Sequence, residues 1–263
     1  AAWWKKSGDR IDLARVEAPR LLGYTLVVEL HRGLNGRVLE LGPDNKPRWE
    51  IDNLQYPIDA QVVGDDRVLI AEYRNRRVTE RDFKGEVKWE KSVNGIVQGV
   101  QRLPHDHTLI VTRNQILEVD ADGKETFSHV RNGHDILAAR RARTGEVVLV
   151  TLSGTCIRLD AAGNEVKSFP VGATYFMGSN IDVLPNGRIL VPQFSNNRVV
   201  EFDPDGKVVW EAAVASPHSV QRLPNGNTLV GSMILQRAVE LDRSGKEVWE
   251  YKADGRLMRV RRR

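Results

Sequence analysis

A repeat of about 40 residues runs through the 263-residue chain and limits its fold more than any other feature of the sequence. The clearest copies contain a Leu-Pro-Asn-Gly turn, at 184–187 and 223–226, which is followed by a short apolar run. Further along each copy, an Asp-x-x-Gly type of turn precedes a strand with one marked position, usually aromatic. That position recurs every 38–43 residues, at Trp49, Trp89, Phe127, Lys167, Trp210 and Trp249.

Each copy of the repeat has room for four short strands joined by tight turns. Asn-Gly and Asp-x-x-Gly sequences close antiparallel hairpins, and the 3.6-residue periodicity of helical repeats is absent from the sequence. Four antiparallel strands in about 40 residues are typical of one blade of a β-propeller. The sequence therefore predicts an all-β fold, a six-bladed β-propeller made of four-stranded antiparallel blades.

The two ends of the chain predict how the ring closes. The first copy begins with its second strand, at 24–28, whereas residues 256–263 match the first-strand pattern of 219–223. We expect the C-terminal strand to complete blade 1 beside three N-terminal strands, because this closure leaves no open sheet between the first and last blades. The propeller then spans 19–263, and residues 1–18 are expected to be a helical cap or the remnant of a preceding helical domain.

The repeated aromatic position predicts a side chain buried between adjacent blades, where it contributes to stability. Lys167 departs from this pattern. We therefore expect blade 4 to be the least well packed of the six.

Composition and charge exclude several classes of protein. Hydrophobic residues make up 41% of the chain and charged residues 28%, as in ordinary globular proteins, and no run approaches the roughly 18 apolar residues of a membrane helix. The single cysteine, Cys156, excludes an internal disulfide and a cysteine-based zinc cluster. Residues 254–263 contain five arginines and one aspartate, so they account for the whole net charge of +4. The neutral remainder argues against a nucleic-acid partner, and nothing in the sequence indicates a compartment.

Three motifs resemble known propeller families. The run Leu-Asp-x-x-Gly-Lys-x-x-Trp at 241–249 resembles the tryptophan docking repeat of PQQ-like propellers. Asn-x-Arg-Val, as at 196–199, is similar to the signature of NHL-type repeats, and 218–230 is similar to strand pairs of arylsulfotransferase-type propellers. The resemblance covers about 20–263 and implies the propeller fold, whereas the three families use that fold for different functions.

Candidate binding residues lie in the loops that surround the central channel on one face of the predicted ring. These loops join neighbouring blades and join the second strand of a blade to the third. They bring together histidine, arginine, acidic and aromatic side chains, which a ligand pocket needs. The predicted ligand-binding residues are His31, Asp59, Glu72, Tyr73, Arg74, Arg113, His134, Asn180, Gln193 and His218.

His218 is the candidate catalytic residue. Resemblance to arylsulfotransferase-type propellers implies a nucleophilic histidine in the channel, with Arg113 or Arg74 binding a sulfate group. The alternative is a loop histidine that is hydrogen-bonded to a neighbouring turn, and no second histidine occupies an equivalent innermost position. Resemblance to NHL-type propellers implies instead that arginines on the same face bind single-stranded RNA. Acidic residues on nearby loops, such as Asp59, dilute that basic surface.

No metal or cofactor is predicted. His105-Asp106-His107 has the composition of a metal site, but it occupies a hairpin turn and lacks further ligands. For PQQ itself, the sequence lacks a vicinal cysteine pair. We therefore predict a non-catalytic binding or protein-interaction scaffold whose channel face binds a protein or a small molecule, and catalysis through His218 and RNA binding are the alternatives. The apolar anchors expected on that face are Tyr73, Phe176, Phe194 and Met233.

Overall fold

The computed structural model describes residues 23–31, 33–172 and 178–263, which form six antiparallel sheets of four strands each. The sheets are the blades of a ring, which confirms the predicted six-bladed β-propeller. The strands are β1 (Thr25–Leu30), β2 (Asn35–Leu41) and β3 (Pro47–Gln55) in blade 1; β4 (Pro57–Val63), β5 (Arg67–Glu72), β6 (Arg77–Asp82) and β7 (Val87–Ser92) in blade 2; β8 (Val97–Arg102), β9 (Thr108–Thr112), β10 (Gln115–Val119) and β11 (Glu125–Val130) in blade 3; β12 (Ile136–Arg141), β13 (Val147–Thr151), β14 (Thr155–Leu159) and β15 (Glu165–Pro170) in blade 4; β16 (Asp182–Val183), β17 (Ile189–Gln193), β18 (Arg198–Phe202) and β19 (Val208–Ala213) in blade 5; β20 (Pro217–Arg222), β21 (Thr228–Ser232), β22 (Arg237–Leu241) and β23 (Glu247–Lys252) in blade 6; and β24 (Arg256–Arg262), which returns to blade 1.

The C-terminal end of the chain completes blade 1. Strand β24 pairs antiparallel with β1, so that Val260 lies opposite Val27 and Arg261 lies opposite Leu26. The strand order β24-β1-β2-β3 confirms the predicted closure by one C-terminal and three N-terminal strands. The predicted helical segment at 1–18 and the anchor Phe176 lie outside the described residues.

The hydrophobic core lies between the faces of adjacent blades. The middle strands β5 and β13 are covered on both faces, so residues 68–71 and 147–150 have no exposed surface. Burial on both faces favours a continuous apolar run instead of alternation. The outermost strands alternate between exposed and half-buried residues, because only one of their faces meets the next blade. Within the described part of the chain, no helix is long and apolar enough to span a membrane.

The repeated aromatic position joins neighbouring blades, as predicted. Trp210 in blade 5 donates its indole N–H to the carbonyl of Arg243 in blade 6 at 3.0 Å. Trp249 in blade 6 donates to Asn45 Oδ1 in blade 1 at 3.2 Å. The prediction that these side chains are buried is wrong, because they are half-buried. They lie on the outermost strands, where one side of the aromatic ring remains in contact with solvent.

A charged clamp accompanies the aromatic side chain at several junctions between blades. At the junction of blades 6 and 1, Arg262 binds Glu240 and lies over the ring of Trp249, 4.3 Å from its centroid. The guanidinium thereby makes an ion pair and a cation–π contact at once. Sequence reasoning missed this clamp, although its members recur with the repeat. The equivalent groups are Arg222, Glu201 and Trp210 between blades 5 and 6, and Arg141, Glu118 and Phe127 between blades 3 and 4.

The junction of blades 4 and 5 is built differently. Lys167 binds Asp205 of the next blade, and Arg158 stands opposite Lys167 where other blades have glutamate. The apolar contact at this junction is made instead by Phe169, which lies two residues after Lys167 on the same strand and is buried. A Cβ atom at Gly206 would lie 2.6 Å from the Phe169 ring, and the φ of +85° there also favours glycine. Phe169 therefore covers the junction despite Lys167, and the expectation that blade 4 is the least well packed of the six stays a prediction.

Candidate functional site

Side chains on the innermost strands bind the backbone of the next blade and so line the central channel. The edge of each innermost strand that faces the channel presents unpaired backbone groups, which must find other partners. Amide side chains from the preceding blade supply them at distances of 2.7–2.9 Å. The pairs are Gln61 with Arg102 N, Gln101 with Arg141 N, and Gln221 with Arg262 N.

A buried cluster of charges occupies the channel. Asp59 on β4 accepts hydrogen bonds from Arg259 Nε and Arg261 Nη2, both at 2.8 Å, and from the backbone N–H of Val100 at 3.0 Å. Arg140 lies 3.5 Å from the same carboxylate. Burial alone would raise the pKa of Asp59, but the three guanidiniums hold it well below its usual range. Asp59 is therefore a permanent anion that joins its own blade 2 to blades 1, 3 and 4.

His218 lies on β20 and is completely buried. Its Nδ1 is 3.3 Å from Ser179 Oγ. Burial, together with the charge of Arg259, lowers the pKa of His218 to about 3. The imidazole is therefore neutral at physiological pH.

The backbone at Gly178 covers the end of the channel near His218. Its N–H donates to Gln98 Oε1 at 3.2 Å, and its carbonyl accepts from Arg259 Nη2 at 3.1 Å. A Cβ atom at Gly178 would lie 3.6 Å from Met258 and 3.7 Å from His218. Gly178 therefore packs directly against the buried imidazole of His218.

Three of the predicted ligand-binding residues lie on or beside the innermost strands, but they do different things. Asp59 is the centre of the charge cluster, and His218 is packed under Gly178. Asn180 binds the backbone of Val220 through both ends of its amide, at 2.8 and 3.1 Å. The structure therefore places them in the channel without joining them into one open pocket.

Two more of these residues are buried supports of the channel-face loops. Glu72 accepts hydrogen bonds from Arg77 at 3.1 Å and from Arg81 at 2.7 Å. Although burial opposes ionisation, these donors lower the pKa of Glu72. Gln193 donates to the carbonyl of Val171 at 2.6 Å. Both side chains hold loops in place and have little capacity left for a ligand.

The remaining predicted residues lie at the surface of the channel face, and the structure does not bring them to one point. His31, Tyr73 and Arg113 are half-buried, whereas Arg74 and His134 are exposed. They belong to loops of four different blades.

The described residues hold no group of three or more side chains suited to a metal ion. His105 and Asp106 lie in a short 3-10 turn, Pro104–Asp106. His107 Nδ1 is 2.7 Å from Glu118 Oε1 within the same blade. The His-Asp-His sequence is therefore part of a turn, as the sequence indicates.

An open groove crosses the channel face between blades 6 and 1; the predicted residues His31 and Met233 line it, whereas sequence reasoning missed its other lining residues. One part, of about 520 Å³, is lined by Leu34 and Arg256, among others. A second part, of about 360 Å³, is lined by Met233, Ile234 and the same Arg256. Because they share Arg256, we treat them as one surface, the blade 6–1 groove. Leu34 and Ile234, which line it, are 38% and 57% exposed, and Leu235, next to Ile234 in the chain, is 47% exposed.

Two tyrosines extend the apolar surface towards blade 2. The rings of Tyr56 and Tyr73 are 4.9 Å apart, and the backbone N–H of Tyr56 binds the carbonyl of Leu34. Arg256 is exposed, and none of the described carboxylates lies within ion-pair distance of it. The groove thus combines exposed apolar side chains with the guanidinium of Arg256, and the carboxylate of Asp254, which also lines it, is bound by Arg37.

Comparisons with known proteins agree with this fold. A family model described as outer membrane protein assembly factor BamB matches residues 34–189, more than half of the chain. No curated protein matches the chain significantly. A solved protein of unknown function from Bacteroides caccae is 16% identical with a TM-score of 0.74, over 90% of this chain and 97% of that one.

Two solved lyases are similar in fold as well. A streptogramin B lyase is 13% identical with a TM-score of 0.62, over 90% of this chain and 75% of the lyase. A virginiamycin B lyase from Staphylococcus aureus is 13% identical with a TM-score of 0.58, over 74% of this chain and 69% of the lyase. At these identities the likeness extends to the fold alone.

Proposed function

The chain belongs to the family of propellers described as outer membrane protein assembly factor BamB, and we propose that it is a non-catalytic binding module whose protein partner docks in the blade 6–1 groove. The observation that carries this proposal is the cluster of exposed apolar side chains there. An assembly factor, as the family is named, acts by binding other proteins, which agrees with this role.

The position of the exposed apolar residues distinguishes the groove from the rest of the surface. Leu34, Ile234 and Leu235 cluster on one face of two adjacent blades. Within the described ranges, the other large apolar residues that are exposed are valines of outermost strands, spread around the ring. They are Val87, Val130, Val166, Val208, Val209 and Val248. Clustered exposed apolar side chains mark interaction sites more often than scattered ones do.

The chemistry of the groove favours a peptide segment with apolar side chains and one carboxylate. Leu34 and Ile234 offer apolar contacts on the two sides of the groove. Arg256 between them offers a guanidinium, which binds carboxylates with two parallel hydrogen bonds. Apolar anchors with a polar rim are the usual design of a protein-interaction site.

The two alternative functions have less support. An arylsulfotransferase-like reaction needs an accessible nucleophile, whereas His218 is buried beneath Gly178. RNA binding needs uncompensated arginines, whereas Arg77 on the predicted basic surface binds Glu72 and Glu90. Turnover of a phenolic sulfate ester that disappears in His218→Ala would support the enzyme over our proposal.

The proposal is tested with a phage-displayed library of short peptides selected on the purified chain. We expect an enriched motif with apolar residues and an acidic residue. Its affinity should fall at least about tenfold in Leu34→Asp and in Ile234→Asp. Val166→Asp is the matched control, because it places the same charge on an exposed apolar site of an outermost strand. Failure to enrich any motif, or equal losses in all three variants, would contradict the proposal.

A further inference from the structure

The charges inside the channel do not balance. Three guanidiniums lie close together there, those of Arg140, Arg259 and Arg261. The carboxylates near them are Asp59, which all three contact, and Asp182, which accepts the backbone N–H of Arg222 at 2.7 Å. Burial of like charges is costly without compensation. The neighbouring cations and the loss of water lower the pKa of Arg140 to about 9.

The hydrogen-bonding capacity of these arginines is also incompletely used. Arg259 is 1% exposed, yet its Nη1 has no acceptor within the described part of the chain. The Nε of Arg261 is buried without an acceptor in the same part. Buried donors in folded proteins normally have partners, and the described residues supply no acceptor for these two groups.

A cavity on the face opposite the blade 6–1 groove reaches one member of this cluster, Arg261. It has a volume of about 190 Å³ and its polar lining consists of Gln61, Gln221, Arg261, Arg262 and Arg263. No acidic side chain lines it among the described residues. Each water molecule takes about 30 Å³ of liquid. The cavity therefore has space for a small polyatomic anion but is too small for a nucleotide.

We propose that this cavity is a binding site for a small oxyanion, held by Arg261 at the inner end of the cavity. Guanidinium groups match the spacing of phosphate and carboxylate oxygens, so they bind both with paired hydrogen bonds. The bound anion neutralises the excess charge that Asp59 leaves uncompensated. The site lies on the other face of the ring from the blade 6–1 groove and is independent of the proposed function.

The test is calorimetric titration of the purified chain with inorganic phosphate, sulfate or acetate at constant ionic strength. We expect saturable binding of at least one of these anions at one site, and the preferred anion distinguishes a phosphate-type ligand from a carboxylate. Affinity should fall at least about tenfold in Arg261→Gln. Arg74→Gln, which removes an exposed arginine on the opposite face, should bind within about twofold of the parent.

Absence of saturable binding, or equal affinity in Arg261→Gln and the parent, would overturn the proposal. A second measurement does not depend on a variant that folds. Crystals of the parent chain soaked in selenate should show anomalous scattering within hydrogen-bond distance of Arg261. Anomalous peaks confined to the outer surface would overturn the proposal in the same way.

Discussion

Ion pairs lie both on the axis of the ring and at its rim, and they differ most in their contact with solvent. On the axis, Arg259 and Asp59 are 1% and 0% exposed, and their charged atoms are 2.8 Å apart. At the rim, Lys167 and Asp205 also bind each other, but 38% and 81% of their side chains are exposed. The axial pair has replaced water by protein partners, whereas the rim pair keeps most of its hydration.

The comparison teaches that burial decides how much a charged pair contributes, even in a fold built from repeated units. An exposed pair contributes about 0–1 kcal/mol to stability. Removal of one member of a buried pair costs about 3–5 kcal/mol, because an uncompensated charge remains in the interior. Mutation of an ion pair should therefore change the free energy of unfolding much more near the axis than at the rim.

The largest difference is expected between two aspartate-to-asparagine changes. Asp59→Asn should lower the free energy of unfolding by about 3–5 kcal/mol, because it leaves three guanidiniums without their carboxylate. Asp205→Asn at the rim should change it by less than about 0.5 kcal/mol. Chemical denaturation of both variants measures the difference, and similar losses would show that burial does not control these pairs.

Removing an aromatic side chain at a junction between blades should lower the free energy of unfolding by an amount between these two losses. Trp210→Ala should lower the free energy of unfolding by about 2 kcal/mol, less than the roughly 3–5 kcal/mol of a fully buried aromatic residue, because Trp210 is half-buried. Phe169→Ala, at the junction of blades 4 and 5, should cost more because Phe169 is buried. Thermal and urea unfolding test this order, and a greater loss in Trp210→Ala would reverse our account of the two junctions.

The axis should also respond to pH through His218. In the folded chain the pKa of His218 is about 3, whereas an unfolded histidine has a pKa of about 6.5. The unfolded chain binds the proton more readily, so stability is complete above pH 6.5 and falls as the pH drops towards 3. The loss between pH 7 and 5.5 should be about 1 kcal/mol. His218→Gln should remove this part of the pH dependence in urea unfolding, and an unchanged slope would contradict the assignment.

The smallest effect is expected at Lys167. Lys167→Ala should change the free energy of unfolding by less than about 0.5 kcal/mol, because the ion pair with Asp205 is exposed. A loss as large as that of Trp210→Ala would mean that the rim pair is as important as the aromatic contact.

The sequence was sufficient to place the blades and the closing strand because turn chemistry is local. Asn-Gly and Asp-x-x-Gly sequences determine the turns within a few residues, and the repeat then brings each strand into register.

The axial charge cluster could also have been predicted from the sequence. Asp59 and Arg259 occupy the same position on the innermost strands of neighbouring blades. The N–H of Val100 binds Asp59, and the N–H of Val260, the residue after Arg259, binds Ser219 in the same way. Alignment of the repeats therefore predicts that they meet.

The same reasoning identified only part of the blade 6–1 groove, since it named His31 and Met233 but none of the exposed apolar residues there. Leu34, Ile234 and Leu235 lie in channel-face loops that follow no repeated pattern. Their exposure depends on how two loops of different blades leave space between them, which is a property of the assembled ring. The half-burial of Trp210 is a further example, because it depends on how far the turn of the next blade covers the indole.

The pairing of β24 with β1 has a mechanical consequence. Tyr24 and Arg263 lie side by side at the same end of this antiparallel pair, where the Arg263 N–H binds the Tyr24 carbonyl at 3.0 Å. A pulling force applied between these two residues loads the hydrogen bonds one after another, as in a zipper, and not all together in shear. A small force applied between Tyr24 and Arg263 would thus open blade 1, because its sheet is closed by the pairing of these two strands.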